Sequence, residues 1–369
     1  MTIDAPRTKG LHGWLAVAAS PRIVFYAVPW LMILLTLGTV AQKELGLYVA
    51  QAVYFSSWIL WLGPVPLPGA YLTLAIITLC LLVKFLFFSV WRWAQAGIIL
   101  THLGVLILLI GGGLTAASQK EGFIAIGEGS EMRTVSDYHS RILRITRDES
   151  VVADLDFGDL QKGMLPLNLP FKVRIDSLCT NCVPAPLKDD TGRKGLAAEI
   201  ALRDSPPEKD AETNLSGLTF TVSDAEEESN GTYLAMEEIP HTPEIETQGD
   251  TYKFAMMREQ RPLPFGIALI DFKRDVYPGT DMASGFSSAV EIRDGGMVWP
   301  ATISMNEPLR YKGYTIYQAS FSQRPDGEFS VLSVVENHGR MFPYLSSAVI
   351  FAGLLLHLLL RLKSARRAA

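Results

Sequence analysis

Four stretches of the chain, residues 23–40, 71–90, 96–117 and 342–360, are almost wholly apolar. Each approaches the roughly 20 residues that a helix needs to cross about 30 Å of hydrocarbon. Between the third and the fourth lies a long tract of different rhythm. Residues 141–145, 171–175 and 219–222 alternate polar and apolar positions, and 311–321 is rich in Tyr, Thr and Ile. Period-two alternation puts one face of a strand on a core and the other in water. The pattern predicts a membrane protein of α + β class: four transmembrane helices, three plus one, with a large β-rich domain inserted between the third and fourth. The expected boundaries are an N-terminal segment at 1–22, three helices within 23–117, an outer domain at 118–341, a fourth helix at 342–361 and a basic tail at 362–369.

Punctuation refines this picture. Within 41–69, residues 50–62 are apolar and aromatic enough to lie along a membrane surface, and the Gly/Pro-rich run 63–69 reads as a rigid turn. Asp294-Gly295-Gly296 and Pro325-Asp326-Gly327 are turn signals. Residues 188–214 and 224–248 are polar, acidic and broken by Pro and Gly, and read as long loops. Thr39-Val40-Ala41 loosely resembles a signal-peptidase site, but the preceding segment is long for a signal peptide, so an uncleaved anchor is expected.

Charge supplies an orientation. Arg7, Lys9 and Arg22 precede the first span, Lys84 and Arg92 flank the second turn, and Arg361, Lys363, Arg366 and Arg367 follow the fourth. If the spans alternate, all of these fall on one side, which the positive-inside rule makes cytoplasmic. The central tract is then extracytoplasmic. Composition agrees with a divided chain: 49% of the 369 residues are hydrophobic, yet the net charge is only −5. The mean hydropathy of +0.21 is too high for an ordinary soluble domain and too low for an all-helical transporter. No basic tract suggests nucleic acid.

Few residues offer chemistry. His102 and His357 fall inside predicted spans, where an ionisable side chain is costly and faces protein, a cavity or a cofactor. Counted from the outer ends of their spans, both lie about 21–23 Å deep at 1.5 Å per residue. Two neutral imidazoles at one depth can ligate a haem iron from both sides, with Lys84 and Arg92 near its propionates. Alternatively, each histidine hydrogen-bonds a neighbouring helix. Gly97, Gly104 and Gly111 recur at heptad spacing, a strip that admits a close helix or a flat ligand. Cys179 and Cys182 form a CxxC, read either as a redox pair or as a small structural disulfide. Residue 183 is valine, so this is no CxxCH site. His338 stands just outside the fourth span, and His12, His139 and His241 read as ordinary exposed residues. There is no catalytic triad, phosphate loop or zinc motif.

Several stretches together resemble one family. They are residues 38–43 leading to Tyr54-Phe55, Pro66-Leu67-Pro68-Gly69, His102-Leu103-Gly104 through Gly111-Gly112, and the run 122–128. Further on come Asp271-Phe272, Tyr277-Pro278-Gly279-Thr280, Phe286-Ser287-Ser288, Pro308 through Tyr314, and Tyr317-Gln318-Ala319-Ser320. In order and spread they resemble ResB-type (CcsB) proteins of the System II cytochrome c biogenesis machinery. Residues 178–262 carry little of the likeness.

The resemblance implies a non-autonomous subunit of a holocytochrome c synthase complex in a bacterial inner membrane, or a thylakoid-type membrane. The implied cargo is haem b, held transiently and without a covalent bond. The implied partners are a CcsA/ResC-type haem-handling protein, apocytochrome c and a thiol-reducing protein. His102 matches the family's third-span histidine, and His357 corresponds to a histidine its last span can carry. Two departures stand out. The chain is short for the family, and its seven tryptophans are scattered rather than gathered into a haem-handling motif.

Overall fold

The computed structural model describes residues 11–187, 192–280, 282–324 and 327–368. Arg7, Lys9, Pro325 and Asp326 lie outside these, as do the side chains of His12, Arg366 and Arg367. The chain divides into two compact units, one of Met1–Lys120 with Glu336–Ala369 and one of Glu121–Val335.

The first unit is helical. It contains α1 (Leu11–Ala18), α2 (Pro21–Leu45), α3 (Leu47–Ala50), α4 (Ala70–Phe87), α5 (Ala96–Ser118) and α6 (Phe342–Ala368). Among the described residues, four helical stretches are long and apolar enough to cross a membrane: Gly13–Leu45, Ala70–Phe87, Trp93–Ser118 and Phe342–Lys363. Such segments close their backbone hydrogen bonds internally, which is what hydrocarbon demands.

The expected outer loop 41–69 is more ordered than its turn residues suggested. Helix α2 runs on to Leu45, and a π-helical turn spans Gln51–Phe55. Strands β1 (Ile59–Leu62) and β2 (Val65–Pro68) then form an antiparallel hairpin. Its two-residue turn begins at Gly63, whose φ of +61° is the left-handed value such hairpin turns require. Prolines at alternate positions signalled a turn, but on an edge strand they are compatible with pairing.

The glycine strip of α5 lies against α6. A methyl group added at Gly97 would meet His357, one at Gly104 would meet Ile350, and one at Gly111 would meet Phe342. Gly353 of α6 returns the close approach against Thr101. The Ser346 hydroxyl donates to the Gly104 carbonyl at 2.9 Å across the contact. Small residues permit this approach, so the strip is a helix-packing surface.

The second unit is built of strands: β3 (Lys120–Gly127), β4 (Glu131–Arg147), β5 (Ser150–Asp156), β6 (Gly163–Met164), β7 (Lys172–Cys179), β8 (Cys182–Pro186), β9 (Ile200–Asp204), β10 (Gly217–Ser223), β11 (Gly231–Met236), β12 (Glu244–Thr247), β13 (Asp250–Val276), β14 (Ala283–Asp294), β15 (Met297–Ser304), β16 (Leu309–Tyr311), β17 (Tyr314–Arg324) and β18 (Gly327–Glu336). The large sheet runs β15-β14-β13-β4-β3-β18-β17-β16, and a smaller one runs β11-β10-β7-β6. Two residue ranges read as loops contain strands. Within 188–214, β9 pairs with β8, and within 224–248, β11 pairs with β10 and β12 with β13. Their polar, Gly-punctuated flanks masked short apolar cores such as Tyr233, Leu234 and Ala235.

Strands β4 and β13, 17 and 27 residues long, organise two lobes. One lobe packs Ile124, Phe265, Leu269, Val290 and Leu332. The other packs Leu143, Phe171, Phe220, Tyr233 and Phe254. The two strands serve both cores, and their pairing shifts register between Arg258 and Gln260, where one lobe gives way to the other. A bulge of this kind bends the pair and re-aims its side chains.

Candidate functional site

Helix α5 presents two distinct faces. The glycine face meets α6. His102 lies five residues beyond Gly97, about 140° around a helix of 3.6 residues per turn, and so points elsewhere. It lines a cavity of about 200 Å³ with Lys84, Phe85 and Phe88 of α4 and its exit. The His102 Nδ1 lies 2.7 Å from the carbonyl oxygen of Ile98, one turn back. A carbonyl can only accept, so Nδ1 donates in this contact and Nε2 is the ring nitrogen left to meet a ligand. That is the tautomer of a metal-binding imidazole oriented by a backbone acceptor.

A second cavity, of about 420 Å³, is lined by Trp91, Arg92, Trp93 and Leu103 and shares Phe85 and Ile99 with the first. Phe85 and Trp91 meet edge to face at 5.5 Å. The Lys84 ammonium sits 6.0 Å from the centre of the Phe88 ring. No Asp or Glu occurs from residue 45 to 120, so this stretch has no carboxylate of its own for Lys84 or Arg92. The combined surface is apolar and aromatic, with two cations and one imidazole. These groups fit a flat, apolar, anionic molecule, haem among them. Trp91 and Trp93 are part of its wall, and the Trp-Arg-Trp sequence at 91–93 is the signal for it.

His357 is not brought to this cavity. It packs over Gly97 on the α6-facing side of α5, about 7.5 Å along the axis from the level of His102 at 1.5 Å per residue. Equal residue counts from the span ends did not translate into equal depth, because the register of the α5–α6 contact sets the level. Its Nδ1 is buried with no hydrogen-bond partner among the described residues. The structure therefore joins His102 to Lys84, places Arg92 in the adjoining cavity, and holds His357 apart.

Cys179 and Cys182 form a disulfide, 7% and 3% exposed, packed with Met236, Leu202 and Ile239. A thiol-exchange partner has no access to sulfurs so covered, which favours the structural reading of the pair.

Where the two lobes meet lies a buried ionic cluster that local sequence could not reveal. Glu237 accepts from Arg141 Nε at 3.2 Å and from the Ser216 backbone N–H at 2.8 Å, with Arg258 Nε at 3.7 Å. Arg141 also donates to the carbonyls of Tyr138, His139 and Asn214, and Arg258 to those of Tyr138 and Glu212. His139, expected to be exposed, is half-buried beside them, and desolvation above all holds its pKa below the usual value. His241 is exposed, as expected, and His338 is exposed too.

Comparison with known proteins places the chain. Residues 241–345 match the model of the ResB-like family. Five of the stretches that carried the resemblance, all between residues 271 and 320, fall inside that segment. The chain is also 28% identical over 276 residues to Protein NrfI of Wolinella succinogenes, a match that covers 70% of this chain and 27% of the relative. The chain thus spans about a quarter of that relative's length. The family whose model matches residues 241–345 is the one the motifs resembled.

Proposed function

We propose that this chain serves cytochrome c biogenesis as a System II subunit, holding haem b in the membrane at His102 and presenting it for attachment to apocytochrome c. The observation that carries the reading is the His102 side chain. Its Nδ1–H is spent on the Ile98 carbonyl, and the ring lines a cavity beside the cation of Lys84. A neutral Nε2 is a good axial ligand, and Lys84 and Arg92 complement propionates. Haem brings the reactivity, while this chain binds and orients it. The ResB-like segment and the likeness to NrfI support the same process.

His357 lies away from the cavity, so the second axial position falls to a histidine of a CcsA/ResC-type partner. The basic residues outside the spans support cytoplasmic termini in a bacterial inner membrane. The buried disulfide in the β unit supports an oxidising, extracytoplasmic setting for that unit. Disulfide exchange through Cys179 and Cys182 is the weaker alternative, because both sulfurs are covered.

The test is the visible absorption spectrum of the protein purified in detergent with a CcsA-type partner. A bis-histidine haem spectrum should vanish in His102→Ala and persist in His357→Ala. Haem retained unchanged in His102→Ala would move the site to the partner and leave this chain a scaffold.

A further inference from the structure

The β1–β2 hairpin is unusual in what it lacks. From residue 45 to residue 83 the chain carries no charged side chain, and this run includes the whole hairpin together with most of span α4. Trp58, Ile59, Trp61, Leu62 and Val65 are all at least half exposed. A hairpin in water with such a surface would be an aggregation site.

Its backbone is fitted to a medium poor in water. The Gly69 N–H donates to the Trp58 carbonyl at 3.0 Å, so residues 58 and 69 form a hydrogen-bonded pair. Antiparallel pairs alternate between bonded and non-bonded. In the observed register, 60·67 and 62·65 are then bonded, while 59·68 and 61·66 are not. The residues of non-bonded pairs turn their amide nitrogens outward. On β2 these are Pro66 and Pro68, which have no N–H. The outer edge of β2 therefore offers no donor. Of its outward carbonyls, that of Pro68 is taken by the Trp30 indole N–H at 2.8 Å. Trp30 belongs to α2, so the hairpin is moored to the span before it as well as continuous with the span after it.

We propose that this hairpin is embedded in the lipid of the bilayer interface, as a wedge between the ends of spans α2 and α4, with Trp58 and Trp61 at headgroup level. The occupant of its apolar face is lipid. Three observations select lipid: the uncharged run continues without a break into a membrane span, the outer edge of β2 has been stripped of donors, and the exposed side chains are the aromatic and aliphatic types of a membrane interface. The inference rests on the membrane-spanning reading of α2 and α4, and not on haem binding.

The test uses spin labels on the full chain in phosphatidylcholine/phosphatidylglycerol nanodiscs, without any partner. Cys80→Ser removes the free thiol, and single cysteines are placed at Leu62 or Val65, at Leu79 on the exposed face of α4, and at Glu227 in the acidic loop. Power-saturation spectroscopy compares collisions with oxygen, which partitions into lipid, and with a water-soluble nickel chelate. The oxygen-to-nickel ratio at Leu62 and Val65 should exceed that at Glu227 several-fold and approach that at Leu79. A ratio equal to that at Glu227 places the hairpin in water and overturns the proposal. A label shielded from both probes means that protein, such as a second copy, covers the face, and overturns it too. If Leu79 itself reads as water, the span reading fails first and the hairpin proposal falls with it.

Discussion

The helical unit and the β unit meet the same problem, polar groups without water, and answer it in opposite ways. In the helical unit most of the described polar side chains are satisfied within their own helix. His102 bonds a carbonyl of its own helix, Thr36, Thr39, Thr78 and Thr101 do the same, and the outer edge of β2 in the β1–β2 hairpin drops its donors by using proline. In the β unit a full ion cluster is buried, and its partners come from strands and loops far apart in the chain. Arg141 and Glu237 are 96 residues apart. Local satisfaction leaves an imidazole nitrogen free for a ligand. Distributed satisfaction joins two cores and leaves little free.

Glu237 is the residue whose loss the β unit should tolerate least. Removing the carboxylate leaves Arg141 buried and uncompensated, a change that typically costs about 3–5 kcal/mol. Glu237→Ala should therefore unfold or loosen the β unit, seen as a large fall in its denaturant midpoint, while the haem binding proposed for His102 is unchanged in any folded fraction. A midpoint within error of wild type would deny the cluster its role as a joint.

The glycine face of α5 comes next. Gly104→Leu forces a side chain into Ile350 and the α6 backbone, and overpacking of this kind costs about 1–3 kcal/mol. The thermal transition of the detergent-solubilised helical unit should fall. Gly112→Leu, where an added Cβ meets nothing, should leave it in place. Equal losses from both would mean that α5 does not use this face.

The disulfide closes a very short loop, for which chain entropy predicts about 2 kcal/mol. The double variant Cys179→Ala/Cys182→Ala should lose that much stability yet keep the haem binding proposed for His102. Loss of cytochrome c maturation with stability unchanged would revive the exchange reading.

The smallest effect is one of pH. Burial first, and the neighbouring Arg141 and Arg258 with it, depress the His139 pKa, against the opposing pull of Asp137. The unfolded chain then binds the proton more readily than the folded one. The stability at stake is present above the unfolded pKa and lost as pH falls below about 6.5. Melting of wild type and His139→Gln at pH 7.5 and 5.5 should show a steeper acid loss in wild type. Parallel losses would assign the acid sensitivity to other groups.

Sequence alone determined the parts of this protein that follow from local chemistry. Apolar runs long enough to span a membrane must be helices, because hydrocarbon accepts no open backbone. Alternating runs at 171–175 and 219–222 must be strands, because only period two puts Phe171, Val173 and Phe220 on a core. A histidine within a span was marked as a site because its burial is expensive. Tertiary structure decided everything that depended on register between distant elements. The contact of α5 with α6 placed His357 beside Gly97 and away from His102, which counting from span ends could not reveal. The pairing of β7, β10 and β11 turned supposed loops into a second lobe, and the meeting of the two lobes created the Arg141–Glu237–Arg258 cluster. Hydrophobicity is a property of a residue and can be read one position at a time. Register is a property of a pair, and it is set only when all the faces compete for burial at once.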